Sequence, residues 1–302
     1  MTLAVTGGTG FVGQAVLDAA GEQNAAVKAL TRRQQDSRQG VTWVRGNLAT
    51  HDALRDLARG ARAVIHIAGV VNASDTAGFH AGNVAGTGAA IDAAREAGVS
   101  RFIHVSSLAA REPGLSHYGH SKRLGEEVVQ TSGLDWTIVR PPAAYGPRDT
   151  EMFELFKAAR WGIVPMPPRG RASIIHVNDL ARLLLLLTDA GTDSFARIFE
   201  PDDGRDGGWK HSELAQAIGA AVGKRVWSPN VPRALLFGAA RIDRAIRRKG
   251  AKLTPDRARY MSHPDWTSAT DRAVPPDLWE PGIETRHGLA ETAQWYERNG
   301  WF

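Results

Sequence analysis

Apolar positions along the chain follow two alternating patterns. Short, nearly unbroken apolar runs read as strands at 2–7 (TLAVTG), 26–31 (AVKALT), 41–46 (VTWVRG), 63–69 (AVIHIAG), 101–107 (RFIHVSS) and 135–141 (DWTIVRP). Between most of them, apolar residues recur at helical spacing, over 11–23, 83–97 and 117–132. Strands alternating with helices predict parallel neighbours joined by right-handed crossovers, hence an α/β fold built on an open, doubly wound parallel sheet. After Tyr145-Gly146-Pro147 the pattern becomes less regular. Helices are predicted over 151–162, from Asn178 through Ala190, and over 211–223, with 195–201 as a last strand. This divides the chain into 1–147, to which 174–201 returns, and a smaller region made of 148–173 and 202–302.

The first turn is unusually rich in glycine. TGGTGFVG, residues 6–13, follows the apolar run Leu3-Ala4-Val5 and opens the first helix. Glycine costs about 1 kcal/mol relative to alanine in regular structure, so bare backbone must serve something here. A sharp turn between strand and helix lets a pyrophosphate approach the main chain, and the helix N-terminus offers it N–H groups. Gly7, Thr9, Gly10, Phe11, Val12 and Gly13 are therefore expected to hold a dinucleotide. The spacing is G-x-x-G-x-x-G rather than the G-x-G-x-x-G of many dehydrogenases. At the end of the second strand an acidic residue would bind the ribose hydroxyls of NAD. Arg32-Arg33 stands there instead, and two guanidinium groups suit a 2′-phosphate. NADP(H) is expected over NAD(H), with Asp36 as the competing ribose ligand.

Tyr118 and Lys122, in YGHSK, are four apart and share one face of a helix. A nearby ammonium stabilises a phenolate, which suits the pair to proton transfer at an alcohol or ketone. Ser106 and Ser107 close the fifth strand, at the edge where open sheets bind ligands. A hydroxyl there is placed to hold a substrate oxygen.

TGGTGFVG, IHIAG, NVAGT, HVSS, YGHSK and VRPPAAYGP occur in that order. Together they resemble the extended short-chain dehydrogenases/reductases, a group that includes nucleotide-sugar epimerases and hydroxysteroid-type dehydrogenases. The likeness covers roughly residues 1–200, and GLAETAQWYERNGW is similar to the family's C-terminal helix. It implies a Rossmann-like sheet, with Lys122 also binding the nicotinamide ribose and Ser107, ahead of Ser106, orienting the substrate oxygen. It further implies Asn83 near the site, supporting the helix and a proton path. Ala68, Gly69, Ser106 and Pro141 are expected against the cofactor. Asn47-Leu48 stands where the family often has Asp-Leu, and Asn47 retains a hydrogen bond for adenine. His66 is read as a packed residue.

Composition narrows the reading. The chain of 302 residues has no cysteine, which excludes disulfides, thiolate metal sites and cysteine nucleophiles. No histidine pattern fits a metal site, so no metal is expected. The first cationic residue is Lys28 and the longest aliphatic run is Leu183–Leu187. Neither a secretory signal nor a membrane span is expected, and a cytoplasmic location is. The net charge of +5 is concentrated in 241–259, which holds eight Lys/Arg against two Asp. No nucleic-acid motif accompanies it, so nucleic acid is not an expected partner. Just before it, Leu235, Leu236, Ala239, Ile242 and Ile246 share a helical face, with Arg241, Arg244, Arg247 and Arg248 flanking or opposing it. That face suits packing on its own domain or in a homodimer, and less readily a peripheral membrane contact. Seven of the nine Trp lie beyond residue 150, where most are expected to pack a small domain.

The combined expectation is an NADP(H)-dependent oxidoreductase acting on a carbonyl or alcohol of a small apolar or ring-bearing substrate. A nucleotide-sugar epimerase or dehydratase is the alternative, with Arg148, Arg169 and Arg171 as a diphosphate clamp. A non-catalytic NADP(H)-binding sensor or assembly protein is the other.

Overall fold

The computed structural model describes residues 2–73, 75–247 and 253–302. From the N-terminus run β1 (Thr2–Thr6), α1 (Phe11–Glu22), β2 (Ala26–Thr31), β3 (Val41–Arg45), α2 (His51–Ala58) and β4 (Ala61–His66). They are followed by α3 (Thr76–His80), α4 (Gly86–Glu96), β5 (Arg101–Val105), α5 (His117–Gln130) and β6 (Asp135–Val139). Next come β7 (Ala143–Tyr145), α6 (Phe153–Arg160), β8 (Arg171–Ala172), β9 (Ile174–His176), α7 (Val177–Leu186) and β10 (Arg197–Phe199). The rest comprises β11 (Trp209–Lys210), α8 (His211–Ala221), α9 (Arg233–Arg247), α10 (Pro255–Met261), β12 (Asp265–Trp266) and α11 (Thr285–Arg298).

Seven strands form one sheet in the order β10-β6-β5-β4-β1-β2-β3. All six pairings are parallel. The order reverses at β1, which lies between β2 and β4, and such a reversal opens a crevice at the carboxyl ends of the strands. Leu3, Ala4 and Val5 are fully buried, as are Ile65, Phe102 and Ile103, which explains the absence of polar/apolar alternation in these runs. Three short helices, α2, α3 and α10, escaped the sequence reading. α2 is a short segment that buries Ala53, Leu54, Leu57 and Ala58, and its pattern is too brief to stand out. The helix expected over 83–97 is two segments, a π-helical turn over Ala81–Ala85 and α4, and α3 runs into that turn from the N-terminal side. The wide turn shifts the register of the whole stretch.

The chain forms two compact units, Met1–Arg140 with Leu180–Phe199, and Pro141–Asp179 with Glu200–Phe302. The first unit therefore ends before the expected boundary at 147, because β7 pairs with β9 inside the second. Residues 174–179 likewise stay in the second unit. Its core gathers Phe156, Trp209, Leu214, Ile218 and Tyr296, with Trp295 and Trp301 packed against it. Trp266 and Trp279 are also buried, so most of the late tryptophans do pack, whereas Trp161 and Trp227 are exposed. α9 divides the expected apolar face: Leu236 is buried and Leu235 exposed. Consecutive helical residues point about 100° apart, so both cannot face one partner. Arg248, and with it 248–252 of the basic stretch, lies outside the described residues. No described helix is long and apolar enough to cross a membrane.

Candidate active site

The glycine turn is as tight as its composition suggests. Gly7 has φ +75°, and a Cβ there would stand 2.7 Å from the Ala68 nitrogen. A Cβ on Gly13 would fall 2.0 Å from the Gly7 carbonyl oxygen. Gly10 N–H closes the turn on that same oxygen at 3.0 Å. No side chain caps α1, so its first N–H groups keep their pull on an anion. Thr9 and Gly10 are exposed, while Phe11 and Val12 are half-buried. A cradle that any Cβ would fill, ending in an uncapped helix, fits the pyrophosphate of a dinucleotide.

Arg32 and Arg33 follow β2 directly and are exposed, as is Asp36. The Asp36 carbonyl accepts from Trp43 Nε1 at 3.0 Å. Arg38 ties this loop to α1 through Asp18, 2.7 Å, and Gln14, 3.1 Å. Asn47 uses its Oδ1 to accept from Ala49 N–H at 2.8 Å. Leu48 beside it is half-buried.

α5 begins at Ser116, whose hydroxyl caps Gly119 N–H. Tyr118, Lys122 and Glu126 then repeat every fourth residue along one face. Tyr118 is half-buried, its ring tilted against Phe79 at 6.2 Å. Lys122 is 5% exposed, and its Nζ donates to the Val105 carbonyl at 2.8 Å. Burial draws its pKa down to about 8, partly opposed by the charge of Glu126. Glu126 is fully buried and bound by Arg140 through Nε at 2.7 Å and Nη2 at 2.6 Å. Ser106 donates to the same carboxylate at 2.5 Å. Ser107 Oγ accepts from Ala109 N–H at 3.2 Å, capping the 3-10 turn over Leu108–Arg111. Pro141 is the first residue of the second unit.

One polar chain links the glycine turn to α5. Ala68 N–H donates to Thr6 Oγ1 at 3.2 Å, and Thr6 Oγ1 lies 2.8 Å from His66 Nδ1. His66 Nε2 lies 3.2 Å from Thr87 Oγ1, which donates to the Asn83 carbonyl. This polarity assigns the imidazole proton to Nε2. The side chain of Asn83 accepts from Val70 N–H at 2.7 Å and donates to Ser121 Oγ at 2.9 Å. Ser121 in turn donates to the Tyr118 carbonyl at 2.8 Å. A Cβ on Gly69 would sit 2.9 Å from Asn83 Oδ1 and 3.6 Å from Lys122 Nζ, so the end of β4, the π turn and α5 converge there. Burial, then the charge of Lys122, pushes His66 down to about 3. His104, stacked on His66 at 5.5 Å, is lowered for the same first reason. Both of its ring nitrogens are buried without a hydrogen-bond partner among the described residues.

The structure thus brings Gly69, Asn83 and Lys122 together and places Tyr118 one turn earlier on α5. It sets Arg32 and Arg33 after a strand beside β1, on the same sheet edge. Sequence reasoning missed Thr6, Thr87, Ser121, Glu126 and Arg140. Glu126 was within reach, since it continues the four-residue series of Tyr118 and Lys122. No group of metal-ligating side chains occurs among the described residues.

A family model described as NAD(P)H-binding matches residues 7–160, a span that includes the glycine turn and the Tyr118–Lys122 pair. The chain belongs to the extended short-chain dehydrogenase/reductase family. Within that family it is 35% identical to the ceramide reductase of Caulobacter vibrioides, over 99% of this chain and 95% of that one. It is 30% identical to the 4-hydroxy-2-methyl-3-oxo-4-farnesyl-3,4-dihydroquinoline-1-oxide ketoreductase of Stigmatella aurantiaca, over 62% of this chain and 64% of that protein. The fold matches MoeE5 in complex with UDP-glucuronic acid and NAD with a TM-score of 0.75, at 19% identity and covering 99% of each chain. The protein is an NAD(P)-dependent enzyme of the oxidoreductase type.

Proposed function

We propose that this enzyme reduces the ketone of an apolar, lipid-like substrate to a secondary alcohol with NADPH, Tyr118 supplying the proton. Lys122 carries the reading. It is a buried ammonium one helical turn after Tyr118, fixed on the Val105 carbonyl and lowered to about 8. A phenol with a pKa near 10 gives up its proton readily only when the phenolate left behind is stabilised, and an adjacent ammonium does that. The Arg140–Glu126 pair anchors the next turn of α5, and the carboxylate favours the charged form of Lys122. Ser107, already accepting from Ala109, retains its own O–H for the substrate oxygen.

When bound, the nicotinamide supplies the hydride for the carbonyl carbon. That hydride and the Tyr118 proton together turn C=O into CH–OH. Gly7, Gly10 and Gly13 hold the pyrophosphate, Lys122 the nicotinamide ribose, Asn47 the adenine, and Arg32 with Arg33 the 2′-phosphate. Ala68, Gly69, Ser106 and Pro141 line the cofactor. The lipid-like substrate is supported by the full-length similarity to a ceramide reductase. An epimerase would need a diphosphate clamp, and Arg171 is already spent on the Gly207 and Gly208 carbonyls. That favours the reductase.

NADPH consumption with a panel of long-chain ketones tests the reading. Tyr118→Phe is expected to keep NADPH affinity and to lose roughly 10²–10⁴-fold in kcat. Full turnover by that variant, or sugar-nucleotide inversion without net NADPH use, overturns it.

A further inference from the structure

Seven large apolar side chains stand exposed among the described residues, and six of them fall in one part of the second unit: Trp161, Ile163, Trp227, Leu235, Ile242 and Ile246. The backbone joins them in sequence. Trp161 ends α6, and Ile163 bridges Trp227 in a short parallel ladder. The ladder is held by Trp227 N–H to the Gly162 carbonyl at 2.8 Å and Val164 N–H to the Trp227 carbonyl at 2.9 Å. It ends where Val231 N–H meets the Met166 carbonyl, two residues before α9. α9 turns Leu236 and Ala240 inward against Ala258 of α10. Leu235, Ala239, Ile242 and Ile246, spaced by four, three and four, remain on its open side. Trp161 is 87% and Ile246 75% exposed, values that no packing within the unit accounts for.

Charge identifies what this surface meets. Residues 224–247 contain six Lys/Arg and a single acidic residue, Asp243. Asp243 is engaged by Leu253 N–H at 2.8 Å and by Arg247 at 3.2 Å. Lys224, Arg225, Arg233, Arg241 and Arg247 are exposed. Aromatic and branched apolar groups interleaved with cations that far outnumber the one carboxylate match the boundary of an anionic lipid layer, where tryptophan sits at headgroup level. A second copy fits worse, because a two-fold contact would set this basic stretch against itself.

We propose that α9 and the Trp161–Trp227 ladder dock the protein on an anionic phospholipid bilayer, lying in the interface without crossing it. The surface is independent of the Tyr118–Lys122 chemistry, so either proposal can fail alone. Co-sedimentation of the protein with phosphatidylcholine vesicles, with and without phosphatidylglycerol, tests it. Pelleting is expected with the anionic vesicles at low salt, with release as salt rises. Arg241→Gln with Arg247→Gln should weaken partitioning roughly 30-fold, and Ile242→Gln with Ile246→Gln should abolish pelleting while NADPH binding stays intact. A blue shift of tryptophan emission on vesicle addition should vanish in Trp161→Phe/Trp227→Phe. Protein that stays in the supernatant at low salt overturns the proposal. So does a dimer, by light scattering, that the Ile242/Ile246 variant splits.

Discussion

At the scale of single residues, the proposed chemistry depends on charges placed where burial would normally exclude them. Lys122 is the clearest, and its i, i+4 relation to Tyr118 was legible because helical spacing is local information. Arg140 was not, since its partner Glu126 lies on another element and no short pattern joins them. Glu126→Gln leaves Arg140 buried beside a neutral amide and removes the charge that favours protonated Lys122. It is expected to cost about 3–5 kcal/mol of stability, read by denaturant unfolding. The cofactor preference rests on Arg32 and Arg33 alone. Arg32→Ala and Arg33→Ala should each weaken NADPH roughly 10- to 100-fold while leaving NADH nearly unchanged, in fluorescence titrations. Equal affinities for both cofactors in every form would dismiss the 2′-phosphate assignment.

At the scale of elements, the seven strands of the large sheet and the long helices followed from the apolar pattern, because a sheet covered on both faces leaves its strands largely apolar, whereas β7, β8, β9, β11 and β12, of two or three residues each, are too short to show a pattern. The π turn over Ala81–Ala85 was not readable, since nothing in AGNVA separates it from an ordinary helical turn. Yet it carries Asn83, whose amide clamps both Val70 and Ser121. Asn83→Ala should therefore loosen the β4 end and α5 together, lowering the thermal midpoint and kcat at once. The turn before α1 was legible because glycine has few other reasons to cluster. Gly13→Ala must displace either the Gly7 carbonyl or the start of α1. The expected outcome is a loss of cofactor binding larger than the loss of stability, seen by titration beside thermal unfolding.

At the scale of the whole molecule, acid should act on stability through buried imidazoles. His66 titrates at about 3 in the folded chain, against 6.5 for an ordinary solvated imidazole. Its contribution is complete above pH 6.5 and is lost as pH falls toward 3. His104 is lowered in the same sense. Asp149 opposes them: burial raises its acid to about 6, so protonation between 6 and 3.8 relieves the fold. Thermal midpoints should fall between pH 6.5 and 3, less steeply in His104→Leu, and more steeply in Asp149→Asn. His104→Leu should also equal or exceed the parent at neutral pH, because its two unpartnered nitrogens vanish.

The return of Leu180–Phe199 to the first unit also imposes an order of assembly. On a ribosome, β6 emerges well before β10 and waits as an open edge. Arg101 waits with it, because its acceptors at Leu187 and Ser194 have not yet been made. A nascent chain stalled at residue 179 should therefore be cut readily by protease and held by chaperones. One stalled with 199 outside the tunnel should be protected across the entire sheet.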